Sequence, residues 1–140
     1  MHPRYAVIDL RPWCARVIRG LGVDIVEVDR VRRAVTRWGE PFLYRIFTPR
    51  EIALGVSRAG AEHFAGRFAA KEAAMKALGT GHSRGVLWRD IEVIRRGGPP
   101  QLLLLGGAAR RFEAIGGHSS QLTITHSDAL ALAQVILLGD

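Results

Sequence analysis

The spacing of apolar and polar positions changes several times along this chain, and each change marks an element. Val17-Ile-Arg-Gly-Leu-Gly-Val-Asp-Ile-Val26 is apolar and β-branched, which predicts a strand; Gly20 and Gly22 would let another backbone come close to it. From Glu27 to Trp38 the period lengthens. Val28, Val31 and Val35 fall on one face of a helix, and Arg30, Arg33 and Arg37 repeat at the same spacing beside them. Gly39 ends that helix. Thr48-Pro-Arg-Glu51 predicts a second start, with Thr48 as N-cap, Pro49 in the first turn and Glu51 completing a capping box. A longer helix is expected from about Ala61 to Leu78, stopping at Gly79.

The second half of the chain is richer in strands. Asp90 to Arg95 alternates, Gly97-Gly-Pro-Pro100 turns, and Gln101 to Leu105 returns as a second strand. Ala108 to Ile115 predicts a short helix closed by Gly116-Gly117. Gln121 to His126 and Ala129 to Leu138 predict the last two strands, with Ser127-Asp128 at the turn. The order β-α-α-α-β-β-α-β-β defines an α+β domain with a mostly antiparallel sheet packed on a long helix. Residues 1–16 show no clear period and contain Pro3, Pro12 and Cys14, so they read as an N-terminal extension to a domain at 17–140.

Composition narrows the partners. A chain of 140 residues suits one domain with a real core. Its net charge of +7 favours polyanions: nucleic acid, a phosphorylated ligand or an acidic protein. A lone cysteine, Cys14, cannot form an internal disulfide and fits a reducing compartment. No apolar run approaches the ~20 residues that span a bilayer. Asp9 and Arg11 interrupt the short apolar run near the start, so no secretory signal is expected and the location reads as cytoplasmic.

Of the 20 basic residues, two are lysine and 18 are arginine. Both lysines lie in the long helix, Lys71 and Lys76, with Glu72 between them. On a helical wheel Phe64, Phe68, Met75 and Leu78 share a stripe about 80° wide, and Lys71 falls inside it. A charge there is costly unless it meets an anion or snorkels to water. Arg67 lies at the stripe's edge. Glu72 and Lys76, spaced i and i+4, read either as a surface ion pair worth ~0.3–0.5 kcal/mol or as chemistry. Gly79-Thr-Gly81, with Thr80 at its centre, could offer backbone N–H groups to phosphate or simply cap the helix. A Mg²⁺ site needs one or two carboxylates besides phosphate oxygens and water. Asp24 is the candidate to join Glu72; its alternative reading is a helix-start residue.

Ile18-Arg-Gly-Leu-Gly-Val-Asp-Ile-Val26 with Arg30, then Phe64-Ala-Gly-Arg-Phe-Ala-Ala-Lys-Glu-Ala with Lys76 and Gly79-Thr-Gly81, resemble the holo-[acyl-carrier-protein] synthase family of small 4′-phosphopantetheinyl transferases. Trp88-Arg-Asp-Ile-Glu92 and Leu122-Thr-Ile-Thr-His-Ser127 are similar to later motifs of that family. The likeness runs from about residue 17 to the C-terminus; the extension at 1–16 departs from the family pattern.

The resemblance implies transfer of the phosphopantetheine arm of coenzyme A to a serine of apo acyl carrier protein, releasing adenosine 3′,5′-bisphosphate. It implies Asp24 and Glu72 as Mg²⁺ ligands and Lys76 at the same phosphates. It places Arg67, Lys71, Thr80 and His126 near coenzyme A, with His126 either a base or a binding residue. Glu72, directly or through water, is the candidate base for the serine. Arg30, Arg33, Arg37 and Arg45 would dock the acidic carrier, from fatty-acid or polyketide synthesis. The larger relatives carry two lobes in one chain, so a small member is expected to be a homotrimer with sites between subunits. Two other readings compete: a basic nucleic-acid-binding module, and an inactive carrier-binding paralogue. The first lacks a zinc pattern, an aromatic RNA motif and a recognition helix; intact Asp24, Glu72 and Lys76 argue against the second.

Overall fold

Strand β1 (Val17–Glu27) pairs antiparallel with the last strand, β5 (Leu130–Gly139), which pairs on its other side with β4 (Gly117–His126). A computed structural model describes residues 16–58 and 60–140; the expected extension, Cys14 included, lies outside them except for Arg16. Between β1 and β4 the chain forms α1 (Val28–Trp38), α2 (Glu40–Ile46), α3 (Pro49–Ser57) and α4 (Ala61–Leu78). A 3₁₀ turn (Trp88–Asp90), a hairpin of β2 (Ile91–Arg95) and β3 (Pro100–Leu104), and α5 (Gly106–Ala114) complete it. The expected α+β architecture is present, with both sheets antiparallel. Helix α2 has no counterpart among the expected elements. It is seven residues long, too short to display a period, and Pro41 in its first turn reads as a loop signal.

Helix α4 lies across the three-stranded sheet and organises the core. The strand period of two turns Gly20, Gly22, Asp24 and Val26 toward it. A Cβ on Gly22 would lie within 3.0 Å of the Ala73 carbonyl, and one on Gly20 within 3.0 Å of that of Ala77, so β1 and α4 touch backbone to backbone. From β5, Ala131, Ala133, Val135 and Leu137 fill the same layer. The helix is buried over far more than one stripe: Phe64, Ala65, Ala69, Ala70, Ala73, Ala74, Met75, Ala77 and Leu78 all belong to the core. Its alanines show no apolar stripe on a hydropathy wheel because their small side chains carry little hydrophobic weight. The expected capping box at Thr48 and Glu51 is formed.

On the opposite face of the three-stranded sheet, β1 and much of β5 present apolar side chains open in the single chain, while β4 presents Gln121, Thr123 and Thr125. Leu21, Val23 and Ile25 of β1 are 58%, 51% and 58% exposed. Leu21 stands opposite Ile136, and Ile25 opposite Leu132. A row of this kind on one strand is far more than scattered surface apolar residues.

Candidate active site

Asp24 reaches α4 because it shares the inward face of β1 with Gly22. Lys76 Nζ lies 3.1 Å from Asp24 Oδ1 and donates to the Val23 carbonyl at 3.0 Å. Glu72 stands one turn earlier on the same flank. Burial raises its carboxyl pKa, the Asp24 charge adds to that rise, and His82, Lys76 and Arg30 oppose it. Two carboxylates close enough for Asp24 to raise Glu72, with an ammonium drawn in beside them, define a spot where positive charge is wanted. His82 Nε2 lies 3.8 Å from Glu72 Oε1, with its ring 4.2 Å from that of Trp88. Sequence reading missed His82, which stands in an irregular stretch with no period to betray its aim.

Lys71 corrects an expectation. It is 0% exposed, and the anion it meets is the protein's own Glu51, at 2.8 Å. Its Nζ also donates to the Ile91 and Trp88 carbonyls. Burial pushes its pKa down, and Glu51 holds it up against that push. Its charge is taken up by Glu51 and two backbone carbonyls rather than presented at the surface. Removing either partner of such a pair strands the other charge, at about 3–5 kcal/mol.

Thr80 also differs from the reading that freed its loop for phosphate. Gly79, left-handed at φ +74°, donates to the Lys76 carbonyl, and the Thr80 N–H donates to Met75. The Thr80 hydroxyl is buried and donates to the Gly81 carbonyl. Capping absorbs two of that loop's three N–H groups.

Arg67 and His126 gather elsewhere. With Arg58, His63, Arg95 and Glu62 they line a cavity of about 720 Å³. His126 Nδ1 is 3.9 Å from Glu62 Oε2. Glu62 and Glu72 are ten residues apart on α4, which is about 15 Å along the axis. Within one chain His126 and Glu72 therefore stand at different places. Burial, with Arg67 and Arg58 close by, holds the His63 pKa down to about 4, and its Nε2 has no partner among the described residues. Burial and Arg95 also lower the Arg67 pKa. A cavity with three guanidiniums and a neutral imidazole suits an anion. His63 carries no signal in the sequence, because it lies about 60° outside the stripe of Phe64, Phe68, Met75 and Leu78 and belongs to no motif.

Arg30, Arg33, Arg37 and Arg45 are all exposed. Asp29 bonds Arg32 at 3.0 Å and reaches Arg33 at 3.7 Å, while Arg37 stacks 4.9 Å from the Trp38 ring centre. No helix among the described residues is long and apolar enough to cross a membrane.

Strand β1 backs directly onto a long helix, with Asp24 on one and Glu72 on the other. Residues 20–133 match the model of the 4′-phosphopantetheinyl transferase superfamily, and the chain belongs to that family. It is 52% identical over 123 residues to a holo-[acyl-carrier-protein] synthase of Solibacter usitatus, covering 86% of this chain and 98% of that one. The crystal structure of the Neisseria meningitidis holo-[acyl-carrier-protein] synthase is similar at TM-score 0.80 and 32% identity, covering 86% of this chain and 98% of that one. The Helicobacter pylori synthase, solved in complex with coenzyme A, is similar at TM-score 0.74 and 30% identity, covering 84% and 98%. Neither a nucleic-acid-binding module nor an inactive paralogue finds support in these likenesses.

Proposed function

We propose that this protein transfers the 4′-phosphopantetheine arm of coenzyme A to a serine of apo acyl carrier protein, leaving adenosine 3′,5′-bisphosphate. The observation that carries the reading is the Asp24–Glu72–Lys76 grouping on a family scaffold. Asp24 and Glu72 fit a Mg²⁺ ion. Among the described residues no group of three or more His, Cys, Asp or Glu forms a metal site. Two carboxylates alone suit a hard cation that takes its other oxygens from phosphate and water. Such an ion supplies Lewis-acid polarisation and a template for the diphosphate.

This chain's own residues do the rest. Lys76, exposed at its tip, neutralises a diphosphate oxygen as the bond to the leaving nucleotide breaks. The serine oxygen bonds to the β-phosphorus, and its proton passes to Glu72 directly or through water. Arg67 and His126, in the anion cavity, hold the phosphates of the nucleotide. Arg30, Arg33, Arg37 and Arg45 receive the acidic carrier, which speeds encounter and makes it salt-sensitive. The test mixes pure protein, apo carrier, coenzyme A and Mg²⁺ and follows carrier mass. Gain of the arm is expected; no gain on several apo carriers overturns the reading.

The active form is a homotrimer with sites between subunits, working in the cytoplasm. Two observations favour the assembly: the exposed apolar row on β1, and the separation of His126 from Glu72 along α4. A second copy covering that face could bring its His126 to this chain's Glu72. Glu72→Gln is expected to lose about 10³-fold or more in rate, and His126→Ala about 100-fold. Mixed and reassembled, they should regain activity more than about tenfold, because some interfaces pair an intact Glu72 with an intact His126. Additive, unrestored activity places each site within one chain.

A further inference from the structure

We propose that Glu51 and Lys71 are positioning residues: their buried ion pair sets the rotation of α4 about its axis, and with it the direction of Glu72 and Lys76. The inference rests on the reading of Glu72 as a cation ligand and Lys76 as a phosphate partner.

The face that α4 turns to the sheet is made of small residues. Ala73 and Ala77 meet Gly22 and Gly20 with no side chain between the backbones. Such a contact sets distance well. It resists turning poorly, because interlocking side-chain ridges are what hold a packed helix in one orientation. Lys71 supplies the missing hold. Its ammonium meets the Glu51 carboxylate of α3, the Ile91 carbonyl at the start of β2, and the Trp88 carbonyl of the 3₁₀ turn. None of these belongs to the sheet on which α4 lies.

Glu51 is itself fixed. Its Oε1 accepts from the Thr48 N–H at 2.9 Å, and its Oε2 from the Val93 N–H at 3.0 Å. The carboxylate cannot shift without undoing the cap of α3 and its tie to β2. Successive helix residues point about 100° apart, so a fixed Lys71 fixes the direction of Glu72. A carboxylate about 6 Å from the helix axis moves about 1 Å when the helix turns about 10°. A misplacement of about 1 Å can slow a reaction about 100-fold.

The same pair reaches the site by a second route. Trp88, whose carbonyl Lys71 holds, stacks on Phe68 with centroids 5.1 Å apart and meets His82 at 4.2 Å. His82 faces Glu72. Turning α4 or releasing Trp88 would therefore disturb Glu72 from both sides.

A purely structural pair and a positioning pair give different results when both charges are removed together. Glu51→Gln with Lys71→Met removes both buried charges and keeps a side-chain carbonyl for the Thr48 or Val93 N–H. Buried pairs replaced in this way often keep their stability. The full-length double variant and the wild type are compared by thermal melting, by Mn²⁺ binding with adenosine 3′,5′-bisphosphate, and by kcat and KM. The expected result is melting within a few degrees of wild type, Mn²⁺ affinity down about tenfold, kcat down about 100-fold, and an unchanged KM for the carrier. Wild-type kcat and Mn²⁺ affinity in that variant overturn the proposal. If the double variant fails to fold, Lys71→Arg decides, since it keeps the charge but moves the donors. Loss of kcat in a folded Lys71→Arg protein supports positioning, and full activity overturns it. A wild type that binds no Mn²⁺ overturns the cation reading instead, and the kcat comparison still decides the role of the pair.

Discussion

Replacing Glu72 by Gln is expected to lower the rate of arm transfer by about 10³-fold or more while leaving the fold intact. The substitution preserves shape and removes one of two carboxylates that draw positive charge to the site. Among the described residues Asp24 is then the carboxylate left there, and Lys76 already lies against it. The effect on stability has the opposite sign. Burial and the Asp24 charge raise the Glu72 pKa, so above that pKa the ionised side chain is worse placed in the fold than in the unfolded chain. Gln removes that penalty. Without metal the variant should therefore melt at the wild-type temperature or slightly above it. With Mg²⁺ and adenosine 3′,5′-bisphosphate the wild type should gain stability by mass action, and the variant should gain much less.

The same shift predicts the pH dependence of the cation. Protons compete with metal for a carboxylate, and a raised pKa makes that competition begin at higher pH. The Mg²⁺ requirement should grow as pH falls, starting above the range of an ordinary glutamate. Near-normal turnover by Glu72→Gln would remove the residue from the metal site altogether.

Gly22→Ala is expected to destabilise the protein by about 3 kcal/mol or more, at the upper end of what overpacking does. The added Cβ would fall within 3.0 Å of the Ala73 carbonyl oxygen and carbon. Both are backbone atoms in the middle of a helix, and neither can rotate away as a side-chain tip would. Strand β1 must then lift from α4. A loss of that size is a large share of the roughly 5–15 kcal/mol that holds a domain together. The melting temperature should fall by about 10 °C or more, measured by circular dichroism. Activity should fall further than stability alone explains, because Asp24 rides on the same strand face two residues on. A change within about 0.5 kcal/mol would show that strand and helix do not touch as described.

Much of this architecture could be read directly from the chain. The apolar, β-branched run of Val17 to Val26 marked the first strand, and a helical period placed Glu72 and Lys76 on one flank. The capping signal Thr48-Pro-Arg-Glu51 located α3 before any contact was known. These are local properties, decided by neighbours three or four residues away. Helix α2 escaped because seven residues carry too little pattern.

What sequence could not decide was the destination of each charge. Lys71 and Lys76 look alike on the chain, five residues apart around one glutamate. Folding brings Glu51, twenty residues before Lys71, into a dry pocket beside it and spends the first lysine on structure. It brings Asp24, far earlier in the chain, to the second and keeps that one near water. His126 likewise joins His63 and Arg67 only because β4 passes the start of α4. Residue type and spacing determined which elements form and which faces they present. Long-range packing determined which charges are paired, buried or free, because a partner brought across the fold can neutralise or expose a charge in ways no neighbour along the chain reveals.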